Sequence, residues 1–405
     1  MSPTPQPAAP APSNATHDDL RHTVVALAEL ERRACSPAER EAAEWIAARL
    51  EELGCSVAVN EERAQAAFAP LHAGLSLAGV AAGLAALAGR RGLATVLGAL
   101  AAAAIADDAS NGLRPVRRAL VPDATTWNVV AQAGDGSAER TLVVLAHHDA
   151  APTGRIFDQS FQKWLYRRFP DFIERTDTAL PIWWPVFGSP ALVALGAATG
   201  RRSLLLAGLA GALGSAAAFL DIARSPIVPG ANDNLSAVAV LVALAVALRE
   251  RPVAGLRVVL ASCGAEEVLQ GGIHGFVARH LAGLDRERTW VLNLDTVGSP
   301  GLILLEGEGP AVMEDYARPQ FRDLVARVAE REGIALRRGM RARSSTDAVI
   351  TSRAGFATAT VASVEPGKLL SNYHLMTDTP ANLRYDTVAG AVALAEGVAR
   401  ELAPG

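Results

Sequence analysis

Two long apolar stretches, each broken by a pair of arginines, set the limits on how this chain can fold. Residues 71–107 are almost wholly apolar apart from Arg90 and Arg91 in the middle, and residues 182–220 repeat the plan around Arg201 and Arg202. Each divides into two segments of about 16–20 residues, close to the length that spans a hydrocarbon core. Trp183 and Trp184 stand at the entry to the second pair, as interfacial aromatics do. The pattern reads as two inserted helical hairpins with four transmembrane helices, and their Gly and Ala suit close helix contact in lipid. The alternative is a pair of buried hairpins in a soluble bundle. Both hairpins return the chain to its starting side, so the rest of a multi-pass integral membrane protein lies on one face. The arginine pairs favour turns on the inner side. Arg114, Arg117, Arg118, Arg167 and Arg168 put positive charge at the opposite end, so charge alone assigns neither face.

The remaining sequence has a different rhythm. Half of the 405 residues are hydrophobic, and the excess is concentrated in the two stretches. A net charge of -4 carries no basic surplus for a nucleic-acid partner. Cys35, Cys55 and Cys263 are too few for a disulfide framework. One Cys35–Cys55 bridge is conceivable, but buried free thiols are the simpler expectation. The first sixteen residues are rich in Pro, Ala and Ser and read as a disordered tail. That leaves 17–70, 108–181 and 221–405 as one body, with 71–107 and 182–220 as the hairpins.

Within that body, Ser36-Pro37-Ala38-Glu39 is a capping-box pattern that opens an amphipathic helix closed at Gly54. CSVAVN, TTWNVVAQ and TLVVLA read as strands, the last two joined by AGDGSAE as in a hairpin. From Asp233 onward strands alternate with helices near 235–250, 315–332 and 384–402. This predicts an α/β fold with a mostly parallel mixed sheet and helices on both faces.

Five residues fall where such a sheet gathers ligands, at the carboxyl edge of its strands. His147 tops TLVVLA, and Asp233 lies in the turn GANDNLSA before an apolar helix. Glu267 follows the strand LRVVLAS, Asp295 ends TWVLNLD, and His374 sits in SNYHLMTD. Imidazole and carboxylate together hold zinc-type ions while leaving a position for water. Asp149, two residues past His147, projects to the same side and is expected to orient its imidazole. Glu266 and Glu267 are costly after an apolar strand unless something neutralises them. As neighbours they point differently, so Glu267 binds metal and Glu266 stays free to take a proton. Tyr373 is a candidate donor to a developing oxyanion. Asp378 either orients His374 or caps the next segment, and Asp347 is a further candidate for the surrounding shell. The segment 154–169 mixes aromatics with Arg and Lys, as an interfacial amphipathic helix does, and suits a lid or pocket wall.

Taken together, NVVA (128–131), LAHHDA (145–150), GANDNLSAVA (230–239), AEE (265–267), NLDTVG (293–298) and YHLMTDTPANL (373–383) resemble the M28 family of zinc peptidases, in the family's order. The resemblance implies a di-zinc aminopeptidase-like fold with two Zn2+ ions and a peptide substrate. His147, Asp233, Asp295, Glu267 and His374 then bind zinc, with Asp233 bridging, and Glu266 is the general base. Two departures stand out. The interval from His147 to Asp233 carries the second hairpin, and a common Ser-Asp-His becomes Ser345-Thr346-Asp347-Ala348. Glutaminyl cyclase-like acyl transfer, a carboxypeptidase-type member and a catalytically silent membrane scaffold are the competing readings. Membrane lipid is the remaining expected partner.

Overall fold

The computed structural model describes residues 17–404; the expected tail, 1–16, lies outside them. The helices run α1 His17–Ala28, α2 Pro37–Glu52, α3 Phe68–Leu87, α4 Arg91–Ala109, α5 Pro115–Leu120, α6 Ser160–Arg168, α7 Pro170–Arg175, α8 Trp184–Thr199, α9 Arg202–Ile222, α10 Ser236–Glu250, α11 Gly271–Phe276, α12 Pro319–Arg331, α13 Ala348–Arg353 and α14 Tyr385–Leu402. The strands are β1 Ser56–Ala64, β2 Ala124–Gly134, β3 Thr141–His147, β4 Arg257–Cys263, β5 Thr289–Leu294, β6 Gly301–Glu308, β7 Glu314–Asp315, β8 Leu336–Ala342 and β9 Ala357–Val364.

They form one nine-stranded sheet in the order β1-β2-β4-β3-β5-β9-β6-β7, with β8 also on β6. The sheet is mixed rather than mostly parallel. Its centre, β4-β3-β5-β9, is parallel, whereas β1/β2, β2/β4, β6/β9 and β6/β7 are antiparallel. On the flank, β8 also runs parallel to β6, reached through α12. The turn after β2 makes no hairpin, because β4 inserts between β2 and β3. A strand buried along its whole length, as β3 is, needs a partner on both edges to satisfy its backbone.

The main core lies on one sheet face, where α1, α2, α10, α12 and α14 cover residues such as Leu142, Val144, Leu260 and Leu292. On the opposite face, Phe276, Ile273, Val349 and Phe356 pack on Val143, Leu145 and Val291. The capping box at Ser36 forms in part: Ser36 Oγ accepts the Glu39 amide. All three cysteines are free thiols.

Helices α3, α4, α8 and α9 pair into a four-helix bundle beside this body. Small residues set its spacing. A methyl at Gly208 would lie 2.6 Å from Ser189 O, and one at Gly98 would lie 2.9 Å from Pro190 O. The Arg91 guanidinium packs against Gly200, bringing the two arginine turns side by side. Among the described residues, four helical segments are long and apolar enough to cross a membrane: α3, α4, α9 and residues 231–250. The last is not among the expected hairpin segments and is buried inside the body. Helix α8, which is among them, has only 16 residues.

Candidate metal centre

Local sequence explains why the polar groups meet at one edge. Strands β3 and β5 run in parallel and end together, leaving His147 as the last residue of β3 and Asp295 just past β5. Glu266–Val268 forms a 3-10 turn after β4, and Asp233 lies in a kinked turn ahead of α10.

That kinked turn is stapled from several directions. Asn232 accepts the Gly298 amide at 2.8 Å and donates to Ser299 Oγ. Asn234 accepts from Thr296 N at 2.9 Å and donates to Leu294 O at 3.0 Å. Asp378 accepts the amides of Asn232 and Asp233 at 2.8 and 3.1 Å. It therefore holds the turn rather than His374. The buried Arg32 reaches in from the N-terminal region and donates to the carbonyls of His148 and Pro229.

His147, Asp233, Glu267, Asp295 and His374 converge. The Asp233 carboxylate is shared: Oδ1 lies 3.2 Å from His147 Nε2, and Oδ2 lies 3.4 Å from His374 Nε2. Glu267 Oε2 is 3.2 Å from the same His374 nitrogen. Two triads thus form around Asp233, one with His147 and Asp295, the other with Glu267 and His374; within each, the ligand atoms lie within 4.8 Å of one another. Glu266 joins His147 and Glu267 in a third such group.

Asp149 accepts the amides of Glu266 and Glu267, both at 3.0 Å, and its Oδ1 lies 3.4 Å from His147 Nδ1. It fixes the Glu266–Glu267 turn as well as facing the imidazole. Tyr373 stacks on His374 with ring centroids 3.9 Å apart, and Phe157 meets the same imidazole edge-on at 4.5 Å.

The charge balance asks for cations. Burial pushes Asp295 up to about 7 and Asp347 up to about 8, and the neighbouring carboxylates add to both. Burial also drives Glu266 well above the ordinary carboxylate range, reinforced by Glu267, Asp347 and Asp295. Among the described residues, no Lys or Arg ion-pairs with Asp233, Glu266, Glu267, Asp295 or Asp347. Buried acids in this number cannot all ionise without compensating charge. His374 Nε2, Glu267 Oε1 and both Asp347 oxygens are buried without a hydrogen-bond partner. A mixed N/O donor set of this kind fits zinc-type divalent ions.

Three contributors escape a reading of local motifs. Gln270 donates to Glu266 Oε1 at 2.6 Å and to Ser345 O at 2.9 Å, while Asn111, just past α4, donates to Gln270 Oε1. Glu39, apparently a capping-box residue, accepts the amides of Cys35 and Ala265 and the Thr126 hydroxyl. It thereby anchors the residue before Glu266. Ala265 at φ 56° marks the sharp turn these bonds support.

Residues 216–398 match the model of Peptidase family M28, a range that includes Asp233, Glu266, Glu267, Asp295 and His374 and stops short of His147. No curated protein matches the chain by sequence. Among solved structures, an aminopeptidase from Aneurinibacillus sp. strain AM-1 is 16% identical with TM-score 0.55, covering 96% of this chain and 94% of that one. A glutaminyl cyclase from Bacteroides thetaiotaomicron, bound to N-acetylhistamine, is 13% identical with TM-score 0.57, covering 97% and 99%. A zinc aminopeptidase from Bacillus subtilis is 14% identical with TM-score 0.54, covering 96% and 95%. At these identities the likeness is one of fold.

Proposed function

We propose that this chain, an M28-type metallopeptidase by its match over residues 216–398, is a membrane-anchored zinc exopeptidase that removes N-terminal residues from peptides. The observation that carries the reading is the pair of donor triads sharing Asp233. One ion would be held by His147, Asp233 and Asp295, and a second by Asp233, Glu267 and His374. When bound, such ions lower the pKa of a coordinated water and polarise a carbonyl.

The remaining steps belong to side chains. Glu266 accepts the proton of the attacking water and passes it to the leaving amine. Gln270 holds one of its oxygens, which keeps the other aimed at the cavity. Burial raises the Tyr373 phenol well above its usual range, with the acids of the cluster adding to the effect. It therefore stays protonated and donates to the developing oxyanion. Asp149 and Glu39 keep the Glu266 turn in place through backbone amides.

Of the three cations lining the adjoining cavity, Arg341 and Lys368 are held by other groups, which leaves Arg343 alone to meet a substrate carboxylate and weakens the carboxypeptidase reading. Arg341 pairs with Asp177 and Asp315, Lys368 donates to the carbonyls of Ile173 and Thr176, and Arg343 lies over the Trp184 ring. Anchoring is supported by the outer face of the bundle. Leu77, Leu84, Leu87, Leu93, Val96, Leu100, Leu195, Leu206 and Leu213 are all exposed there. A surface of this kind belongs in lipid or against a partner. Helix α3, with 20 residues, reaches about 30 Å, a hydrocarbon thickness.

Metal analysis and an arylamide panel test the proposal together. Two zinc ions per chain and cleavage of unblocked aminoacyl-arylamides alone are expected, with loss of turnover on dialysis against a chelator. Glu266→Gln should keep its zinc and lose at least about a hundredfold in kcat. A single zinc with cyclising activity on N-terminal glutamine would move the assignment to acyl transfer. Unchanged turnover in the Glu266 variant would remove the role given to that residue.

A further inference from the structure

A cavity of about 330 Å³ opens from the carboxylate–imidazole cluster, with Asp233, Glu266, Glu267, Asp295 and Tyr373 at that end. Most of the remaining surface is carbon, interrupted by polar groups such as Gln159, Thr360, Arg341, Arg343 and Lys368. Its floor is sheet, with Ile303, Leu305, Ala362 and Val364 facing in. Its roof is the chain between β3 and α8, with Phe172, Ile173, Leu180 and Ile182. Volumes of ~300–1,000 Å³ take ligands of drug size, so the space exceeds what one ordinary side chain fills. The roof continues directly into Trp183 and α8, at the foot of the apolar bundle. Phe172, Leu180 and Ile182 are themselves exposed, at 64%, 39% and 45%. Of the cations that line it, Lys368 holds the roof through Ile173 O and Thr176 O, and Arg341 holds it through Asp177.

We infer that this cavity binds a long aliphatic chain carried on the carbonyl side of the scissile amide, so that the enzyme's substrates are amphiphiles drawn from the membrane surface. The inference rests on the hydrolytic reading above and names its substrate class. Carbon on floor and roof pays nothing to desolvate and gains with each methylene that leaves water. The ionic cluster at one end fixes the amide, and the bundle at the other end puts the roof at the membrane surface. The chain has two chemical sources: a long side chain on a residue with a free α-amine, as the aminopeptidase reading expects, or a fatty acyl group with no amine, which would keep the hydrolysis and replace the aminopeptidase specificity.

Two measurements on the full chain in lipid nanodiscs separate these points. The first is binding of radiolabelled dodecanoyl-alanine and acetyl-alanine to the Glu266→Gln protein, which removes turnover. Ala362→Phe fills the floor, Leu180→Asp puts a charge in the exposed roof, and both controls subtract partition into lipid. Dodecanoyl-alanine should bind at least tenfold more tightly than acetyl-alanine, and either substitution should abolish the difference. Equal retention of the long ligand by all three proteins overturns the inference.

The second is cleavage of alanyl-, 2-aminohexanoyl- and 2-aminododecanoyl-arylamides, and of acetyl-, hexanoyl- and dodecanoyl-arylamides, by the active protein. The value of kcat/KM should rise about two- to fourfold per added methylene in the amine-bearing series, the fatty acyl series, or both, and the series that responds identifies the source. A flat response in both overturns the inference. Chain-length-dependent binding with no arylamide cleaved would instead strike the hydrolytic reading, and leave the cavity a binding site for apolar chains.

Discussion

Helices α9 and α10 are almost equally apolar and live in opposite surroundings. Of residues 231–250, which hold α10, 17 of 20 are buried inside the protein, against 7 of 21 in α9, Arg202–Ile222. Helix α10 lies among α1, α14, β2 and β3, and Val240 and Leu241 have no exposed surface. Helix α9 packs along one side on α3 and α8 and turns Leu206 and Leu213 outward. Hydropathy counts carbon; it does not say whether protein or lipid will surround it. What separates the two helices is the company each keeps: α10 closes the sheet's main core, while α9 belongs to a bundle with no second layer.

The largest expected effect comes from putting the same charge into both. Val240→Asp buries a carboxylate with no partner in a closed core, which costs several kcal/mol and should abolish folding, seen as loss of a thermal transition. Leu213→Asp alters a residue that is 50% exposed. The peptidase body should keep its transition and its arylamide activity, while retention in washed membranes falls. Full membrane retention of Leu213→Asp alongside unchanged stability would show that this face meets neither lipid nor protein, and the contrast between the helices would collapse.

A smaller effect probes how the bundle itself is packed. At Gly208 an added methyl would meet Ser189 O and Val193 N, both at 2.6 Å, whereas at Gly214 nothing lies within 4 Å. Gly208→Ala should therefore destabilise the bundle by ~1–3 kcal/mol, and Gly214→Ala should be neutral. The tryptophans at the foot of α8 report the transition in fluorescence. Equal stability of both variants would mean that helix contact in the bundle is looser than its glycines imply.

The two regions also differ in how far they could be read from sequence. His147, Asp233, Glu267, Asp295 and His374 each sit at a strand end or turn with a local signature, and the structure brings all five together. The bundle helices were legible because an arginine pair interrupts each apolar run, although α3 begins at Phe68 rather than residue 71. Other features depend on distant partners. The capping box offered Glu39 a complete local role, yet its side chain reaches Ala265, 226 positions away. The turn after β2 looked like a hairpin because nothing near it announces that β4 will separate the two strands. The sheet came out mixed for the same reason: strand direction on its flanks is set by pairing, and alternation of strands and helices records only the order of elements. Gln270 was silent because a lone Gln after an acidic turn carries no pattern.

Gln270 and Asn111 join the two regions, and they give the finest test of the comparison. Gln270 clamps Glu266, and Asn111, at the end of α4, clamps Gln270. Asn111 is fixed in turn: its carbonyl accepts from Arg353 at 2.9 Å, and its Oδ1 faces His274 Nε2 at 3.3 Å. The end of the first hairpin is thus in hydrogen-bond contact with the proposed general base through one intermediary. A hydrogen bond to a charged group contributes ~1.5–3 kcal/mol. Gln270→Leu should therefore lower kcat about tenfold or more with KM within twofold, because the base loses its aim and substrate binding is untouched. Gln270→Glu should not rescue it, since a second carboxylate beside Glu266 repels instead of donating. Asn111→Ala leaves the Gln270–Ser345 bond to hold the amide and should lower kcat by only about threefold, a single bond between neutral groups being worth ~1 kcal/mol or less. If Gln270→Leu raises KM and leaves kcat alone, Gln270 shapes the cavity rather than the base. If Asn111→Ala has no effect on kcat while Gln270→Leu does, the bundle and the site share a boundary without a functional link.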